Sequence, residues 1–436
     1  MTSRKYTDAD PPVTGPSGAG PVGGVRDDRV IKSGKLKGLS MRAAIWLLAW
    51  PVLIESFLNA LVGMVDTTLS ASLSVEATDA VGAASYFVWL IGLVGMALGV
   101  GVTALVSRSM GKGRPAVANA ALGQAALLGL GGGALVSVVL WVCAPLVARV
   151  LNLDGEVARQ AVEYLRILAV AVPMQTWLVC GIAGARGAGD AVSPLLMMAG
   201  VNVVNIVTSF VLSGASFGYT RPGAAGDVVT TTIIANPFGF QWGLAGIAWG
   251  TVIAWTTGAV AMMVLLGTRG VHGLRLRARR LKPHVTTMKR LIRVGTPNLI
   301  ETAGMWFGNF LVIVLVGLMG GEGLFGSHIV AIRIEAFSFL PGFAMSMAAA
   351  TLAGQYLGAM RPDLARKAIL RCTAIATSIM VLFGMAFAFA PRYVVGVFTQ
   401  QPVHMELVPR LLFICAFIQA PFAISICIRG ALRGTG

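Results

Sequence analysis

Acidic side chains are scarce in this chain: 18 Asp and Glu stand against 34 Lys and Arg, and charged residues of both signs make up only 12% of 436 residues. A soluble domain carries about 25%, so this chain has too little charge to clothe a water-facing surface. Cysteine is sparse as well. Cys143, Cys180, Cys372, Cys415 and Cys427 lie in or at the edge of apolar runs without metal-type spacing, and read as buried, inert thiols rather than disulfides or ligands. The four histidines do not cluster: His272 and His284 fall in a basic loop, His328 at a span edge and His404 in a connection. No phosphate-binding loop and no nucleophile with a plausible base occur. Neither an enzyme nor a bound cofactor is expected.

Apolar residues are abundant, at 56% with a mean hydropathy of +0.78. They fall into ten runs of membrane-crossing length, at about 43–69, 82–107, 118–149, 160–184, 191–213, 243–267, 295–319, 327–356, 368–390 and 409–430. The expected class is therefore an all-α integral membrane protein.

The formal charge of +16 is distributed in a way that disfavours nucleic acid as partner. Arg269, Arg275, Arg277, Arg279, Arg280, Lys282, Lys289, Arg290 and Arg293 follow the sixth run with no acid among them. Lys32, Lys35, Lys37 and Arg42 precede the first run. Arg108, Lys112 and Arg114 follow the second, and Arg361, Arg366, Lys367 and Arg371 the eighth. The alternate connections carry Glu76, Asp79, Asp154, Glu156 and Glu322, with only Arg159, Arg221 and Arg392. This is the positive-inside pattern; it predicts a cytoplasmic N-terminus, with anionic lipid headgroups as the only polyanion partner. No cleavable signal peptide is evident.

The chain also repeats itself. Pro51-Val52-Leu53-Ile54-Glu55-Ser56 returns as Pro297-Asn298-Leu299-Ile300-Glu301-Thr302, and Ala144-Pro145 as Ala390-Pro391. Gly184-Ala185-Arg186-Gly187 returns within Gly430-Ala431-Leu432-Arg433-Gly434. Six spans separate the copies, so they enter the membrane from the same face as parallel repeats. Four segments follow: a disordered cytoplasmic tail over 1–40, a first six-helix lobe over 41–267, a basic linker over 268–294, and a second lobe over 295–436 with four helices. Two like bundles enclose a central cavity. By internal symmetry the second lobe is two spans short, and a truncated twelve-span protein is expected, with a ten-span protein as the alternative. The long connection at 214–242 either folds over the outer mouth or is floppy.

Charged groups inside spans are functional candidates. Glu55, Asn59 and Asp66 fall within roughly 40° of one another on one helix, a stripe about 16 Å long. Asp66 is a candidate for proton or cation chemistry, unless it only packs helices or is wet at the interface. Glu301 repeats Glu55. The pair either flanks the cavity for a cationic substrate or holds a backbone carbonyl or arginine in each lobe. Arg333 and Glu335 point to different sides of their helix; Glu301 or Glu55 would suit Arg333, which otherwise snorkels to the interface. Asn202, Asn205, Ser209 and Thr251 offer uncharged oxygens for a sodium site, or for a carboxylate that cycles with protons, or for helix packing alone.

Met64-Val65-Asp66-Thr67, the two Arg-Gly-x-Gly turns, Gly243-Leu-Ala-Gly-Ile-Ala-Trp-Gly-Thr251 and Ile332-Arg333-Ile334-Glu335…Pro341-Gly342 together resemble the MATE (multidrug and toxic compound extrusion) family, in its DNA-damage-inducible-protein-F-like branch. The resemblance covers residues 41–436. It implies a twelve-helix fold of two bundles around a V-shaped cavity, acting as a monomer in the cell membrane and exporting amphipathic, often cationic compounds against Na+ or H+ entry. It places a first-lobe coupling site at Asp66, Asn205, Ser209 and Thr251, with Ser209 where some members have a second carboxylate. The second-lobe acid pair of other members is incomplete here: Glu301 lies about a turn early, and Gln419 is the nearest polar group in the tenth span. Glu55, Asn59, Glu301, Arg333 and Glu335 remain as cavity candidates. A flippase for a lipid-linked saccharide is the nearest alternative; a membrane-embedded enzyme and a channel fit less well.

Overall fold

A computed structural model describes residues 30, 31, 33–151, 153–222, 228–319, 323–399 and 401–436. Within them, eleven α-helices run in the order α1 (Met41–Leu73), α2 (Val75–Gly111), α3 (Pro115–Val150), α4 (Gly155–Gly187), α5 (Val192–Ser213), α6 (Gly243–Thr268), α7 (Val285–Met319), α8 (Leu324–Gly358), α9 (Pro362–Phe389), α10 (Pro391–Phe398) and α11 (Pro402–Thr435). All but α10 are long and apolar enough to cross a membrane. α1–α6 form one lobe and α7–α11 the other.

The helices start where side chains or proline can serve free backbone groups. Ser40 and Ser74 cap α1 and α2, and proline occupies the first turn of α3, α9, α10 and α11, where its missing N–H costs nothing. The repeat persists down to single hydrogen bonds. After α2, Gly113 N–H donates to Met110 O and Arg114 N–H to Ser109 O; after α8, Met360 N–H donates to Leu357 O and Arg361 N–H to Tyr356 O. The residue at the bend is left-handed in both turns, with φ of 72° at Gly113 and 61° at Met360.

Each lobe's leading helix begins against the opposite lobe. Met41, Ala44, Ile45, Leu48 and Val52 of α1 are buried with α8, α9 and α11, whereas Val65, Leu69 and Leu73 further along join the core of α2, α3 and α4. In the same way Leu291 of α7 is buried among α2, α3, α4 and α6. α7 reaches α2 because both lack side chains at the crossing: a Cβ on Gly101 would lie 2.5 Å from Leu291 O, and one on Gly295 2.4 Å from Ala97 O. Pro51 and Pro297, the repeated prolines, sit inside α1 and α7 close to this change of partner.

Two expectations need correction, on the linker and the tail, and two features take forms that the sequence left open. The basic linker ends at about residue 284, because Lys289, Arg290 and Arg293 belong to the first turns of α7, where polar residues hide the helix from a hydropathy reading. Residues 33–40 of the expected tail are folded: Leu36 is fully buried, Ser33 Oγ donates to Met110 O, and Lys35 Nζ pairs with Asp190. Residues 1–29 and Lys32 lie outside the described residues, as do Glu322, Gly223 and Gly226. The 214–242 connection carries an antiparallel hairpin, β1 (Phe217–Pro222) and β2 (Val228–Ile234). Its β-branched run Val228-Val229-Thr230-Thr231-Thr232-Ile233-Ile234 was the available signal. The repeated Ala-Pro differs between lobes: Pro145 stays inside α3, while Pro391 starts α10 after a break at Ala390.

Candidate transport site

α6 lies very close to α5 because Gly246 and Gly250 face it; a Cβ at either would collide with the backbone of Leu212 or Ser209. This approach brings three of the expected residues together. Asn205 Nδ2 donates to Thr251 Oγ1 at 3.0 Å, while Ser209 Oγ and Thr251 Oγ1 each donate to Ile247 O at 3.3 Å. All three are buried. Asn205 Oδ1 is buried with no hydrogen-bond partner among the described residues.

Asn202 Nδ2 donates to Asn59 Oδ1 at 3.2 Å, which joins α5 to the polar stripe of α1. α1 and α5 run in the same direction, and Asp66 and Ser209 each follow this pair by seven residues, about two turns. The asparagine bond therefore sets Asp66 level with Ser209. Asp66 makes no hydrogen bond to Asn205, Ser209 or Thr251; its Oδ1 is buried without a partner among the described residues, within electrostatic reach of Tyr164 of α4. Two orphaned acceptor oxygens thus lie in the interior of one lobe, a costly arrangement that a proton or cation relieves.

The other acids are differently placed. Glu55 is buried and pairs with Arg186 of α4 at 2.5 Å. Glu301 pairs with Arg433 at 2.7 Å and with Arg429 at 2.8 Å, both of α11. The repeated glutamate thus holds the arginine of the repeated Arg-Gly turn in both lobes. Of the two readings left open by the sequence, these ion pairs favour the one in which the glutamate holds an arginine in each lobe. Neither serves Arg333, which is exposed and without an ion pair among the described residues, as snorkelling requires. Glu335 sits half-buried beside Cys415 of α11, and nearby Ser338 Oγ donates to Gln419 Oε1 at 2.9 Å.

An arginine was one of the partners left open for each glutamate, but Arg186, Arg429 and Arg433 were not singled out. The signal was present: both copies of the repeat keep the glutamate and the arginine together.

At the end that carries the basic loop, the lobes close on each other reciprocally. From α8, Gln355 Nε2 donates to Gly187 O at 2.9 Å and Thr351 Oγ1 to Arg186 O at 3.3 Å, both in the last turn of α4. From α2, Arg108 Nη1 donates to Thr435 O at 3.3 Å, in the corresponding last turn of α11. Gly111, Gly354 and Gly358 leave no room for a side chain in this seam. The aromatic contact between Phe57 and Phe337, with centroids 6.2 Å apart, lies midway along α1 and α8.

Two pseudo-symmetric helical lobes, closed together at one end and spanning a membrane, define a multi-pass membrane transporter. The MatE family profile matches residues 51–211 and 297–436, one stretch in each lobe, and the chain belongs to that family. It is 25% identical over 401 residues to a probable multidrug resistance protein NorM of Thermotoga maritima, covering 91% of this chain and 80% of that protein. It is 23% identical to an uncharacterized transporter, YisQ, of Bacillus subtilis, covering 93% and 85%. Among solved structures, a multidrug resistance MATE family transporter of the MOP superfamily in an outward-facing conformation superposes with a TM-score of 0.79 at 20% identity, over 93% of this chain and 84% of that one.

Proposed function

We propose that this chain exports amphipathic, cationic small molecules of drug type across a bacterial plasma membrane, as a monomer, in exchange for entry of Na+ or H+. The observation that carries the coupling is the pair of unsatisfied interior oxygens, Asp66 Oδ1 and Asn205 Oδ1, in the first lobe. A carboxylate left bare in such a place is unstable, so the lobe gains by taking up a proton or a sodium ion. With Ser209 in place of a second acid, Asp66 supplies the only formal charge of the set. Occupancy acts on transport only if the cation binds one conformation better than the other.

The basic end is read as cytoplasmic from the positive-inside pattern. The seam of Gln355, Thr351 and Arg108 then seals the inner side. The relatives named as multidrug resistance proteins support the substrate class. A lipid-linked saccharide flippase is the second reading, and the triad of Glu301 with Arg429 and Arg433, which carries a net positive charge, is what favours it.

The test is transport in proteoliposomes of a cationic dye, with sodium and pH gradients imposed separately. One gradient is expected to drive dye export, and Asp66→Asn to abolish that coupling while leaving thermal stability intact. Undiminished gradient-driven export by Asp66→Asn would remove Asp66 from the mechanism.

A further inference from the structure

Between the start of α3 and the chain leaving α6 lies a cavity of about 410 Å3 whose lining includes Arg269, Arg275, Arg277 and Arg280 and no acidic residue. None of these guanidinium groups is in a salt bridge among the described residues. The floor is built, not loose. Buried Gln124 of α3 spends both its donors on Arg280 O and Lys282 O, at 3.0 and 2.9 Å, and accepts from His284 N–H at 2.8 Å. Asn119 Oδ1 accepts from Arg275 N–H at 2.7 Å. Gly123 lets the backbone of Arg280 lie directly on α3. The arginines are therefore presented by a pinned backbone. The start of α3 adds to the positive field, because its N-cap makes no side-chain hydrogen bond and its first turn holds no acid.

Arg269 also terminates a second depression of about 940 Å3, which runs along α6 from Val252 past Ile253, Val260 and Val264. From Val252 to Arg269 the helix rises about 25 Å, enough to hold an acyl chain from the headgroup to the middle of a hydrocarbon core about 30 Å thick. An apolar trough of that length that ends in a cluster of unpaired arginines matches one kind of molecule. We infer that the face of α6 and the Arg269–Arg275–Arg277–Arg280 cavity together bind one anionic phospholipid, with its phosphodiester on the guanidinium groups and a chain along the trough. Arginine suits a phosphodiester because it offers paired, planar donors.

The experiment uses the full-length protein in nonionic detergent, with bound lipid read by native mass spectrometry after exposure to phosphatidylglycerol and phosphatidylcholine of matched chains. Phosphatidylglycerol is expected to be retained preferentially. Arg275→Gln and Arg277→Gln should each reduce its retention about fivefold, and Arg410→Gln, at an exposed site elsewhere, should not. Val260→Trp, which fills the trough without altering charge, should also reduce retention. The inference is overturned if the two lipids are held equally, if the arginine variants or Val260→Trp retain phosphatidylglycerol as wild type does, or if inorganic phosphate alone stabilises the protein as much as phosphatidylglycerol. In that last case the cavity takes a free anion. Binding is read without transport, so this result stands or falls apart from the exporter assignment.

Discussion

Glu55 on α1 is tied to Arg186 on α4 by a buried ion pair, and Glu301 is tied to Arg433 in the same relation across the second lobe. The repeated Pro-x-Leu-Ile-Glu segment is thus a clamp between the leading helix and the turn that ends a helix of its own lobe. That turn is also the one gripped by the opposite lobe through Gln355 or Arg108. The clamp and the seam share a backbone, so a change in one is felt by the other.

Removing one member of the buried pair leaves the other charge uncompensated, which costs about 3–5 kcal/mol. Glu55→Gln and Arg186→Met should each lower the thermal unfolding temperature in detergent substantially. The double variant Glu55→Leu/Arg186→Met should recover much of the loss, because an apolar pair needs no partner. Equal destabilisation by single and double variants would deny the pairing any energetic role.

The seam at the basic end depends on missing side chains. Gly111→Val places new atoms inside the Gln355 backbone, and overpacking of this kind costs about 1–3 kcal/mol. A cysteine at Ser107, buried in the seam, should react about tenfold faster with a maleimide in the Gly111→Val background, measured in a chain cleared of native cysteines; that factor is about 1.4 kcal/mol. Gly63→Val, where nothing lies within 4 Å of the new Cβ, serves as the control and should leave the rate unchanged.

Asp190, in the turn between α4 and α5, is almost wholly buried. It accepts from Lys35 Nζ at 2.9 Å, from the backbone N–H groups of Val192 and Ser193, and from Ser193 Oγ at 2.6 Å; His272 Nε2 lies 3.6 Å away. Burial alone would raise its pKa, but the hydrogen bonds from Ser193 and Lys35 and the lysine's charge outweigh it and hold the carboxyl below its ordinary 3.8. The stability this contributes is complete above 3.8 and is lost as pH falls through the lower folded value. The hydrogen-exchange protection factors of residues 33–40, observed rates corrected for the intrinsic slowing of exchange in acid, should therefore fall on acidification below about pH 4. Asp190→Asn should flatten that dependence; an unaltered acid response in this variant would assign it to other groups.

Much of the architecture was legible in the chain. The ten spans follow from the length and dryness of their apolar runs, and the two lobes from the recurrence of Pro-x-Leu-Ile-Glu and the Arg-Gly turns. Such signals run along one dimension and need no knowledge of neighbours. The site was only partly legible. Asn205, Ser209 and Thr251 were foreseen and do converge, because Gly246 and Gly250 draw α6 onto α5. An arginine was foreseen as one partner open to Glu55 and Glu301, but not which arginine. A membrane helix is apolar toward lipid and toward its neighbours alike, so its sequence says little about which way it is turned.

The sequence by itself determined where ten candidate spans lie, that the two lobes repeat one another, and which few polar groups must find shelter inside. Only the tertiary structure decided that α1 and α7 begin in the opposite lobe, that two glutamates are spent on arginines, and that Asp66 and Asn205 keep bare oxygens. Those outcomes depend on how helices are rotated and crossed, and that is set by glycine-to-backbone approaches and ion pairs between segments more than a hundred residues apart.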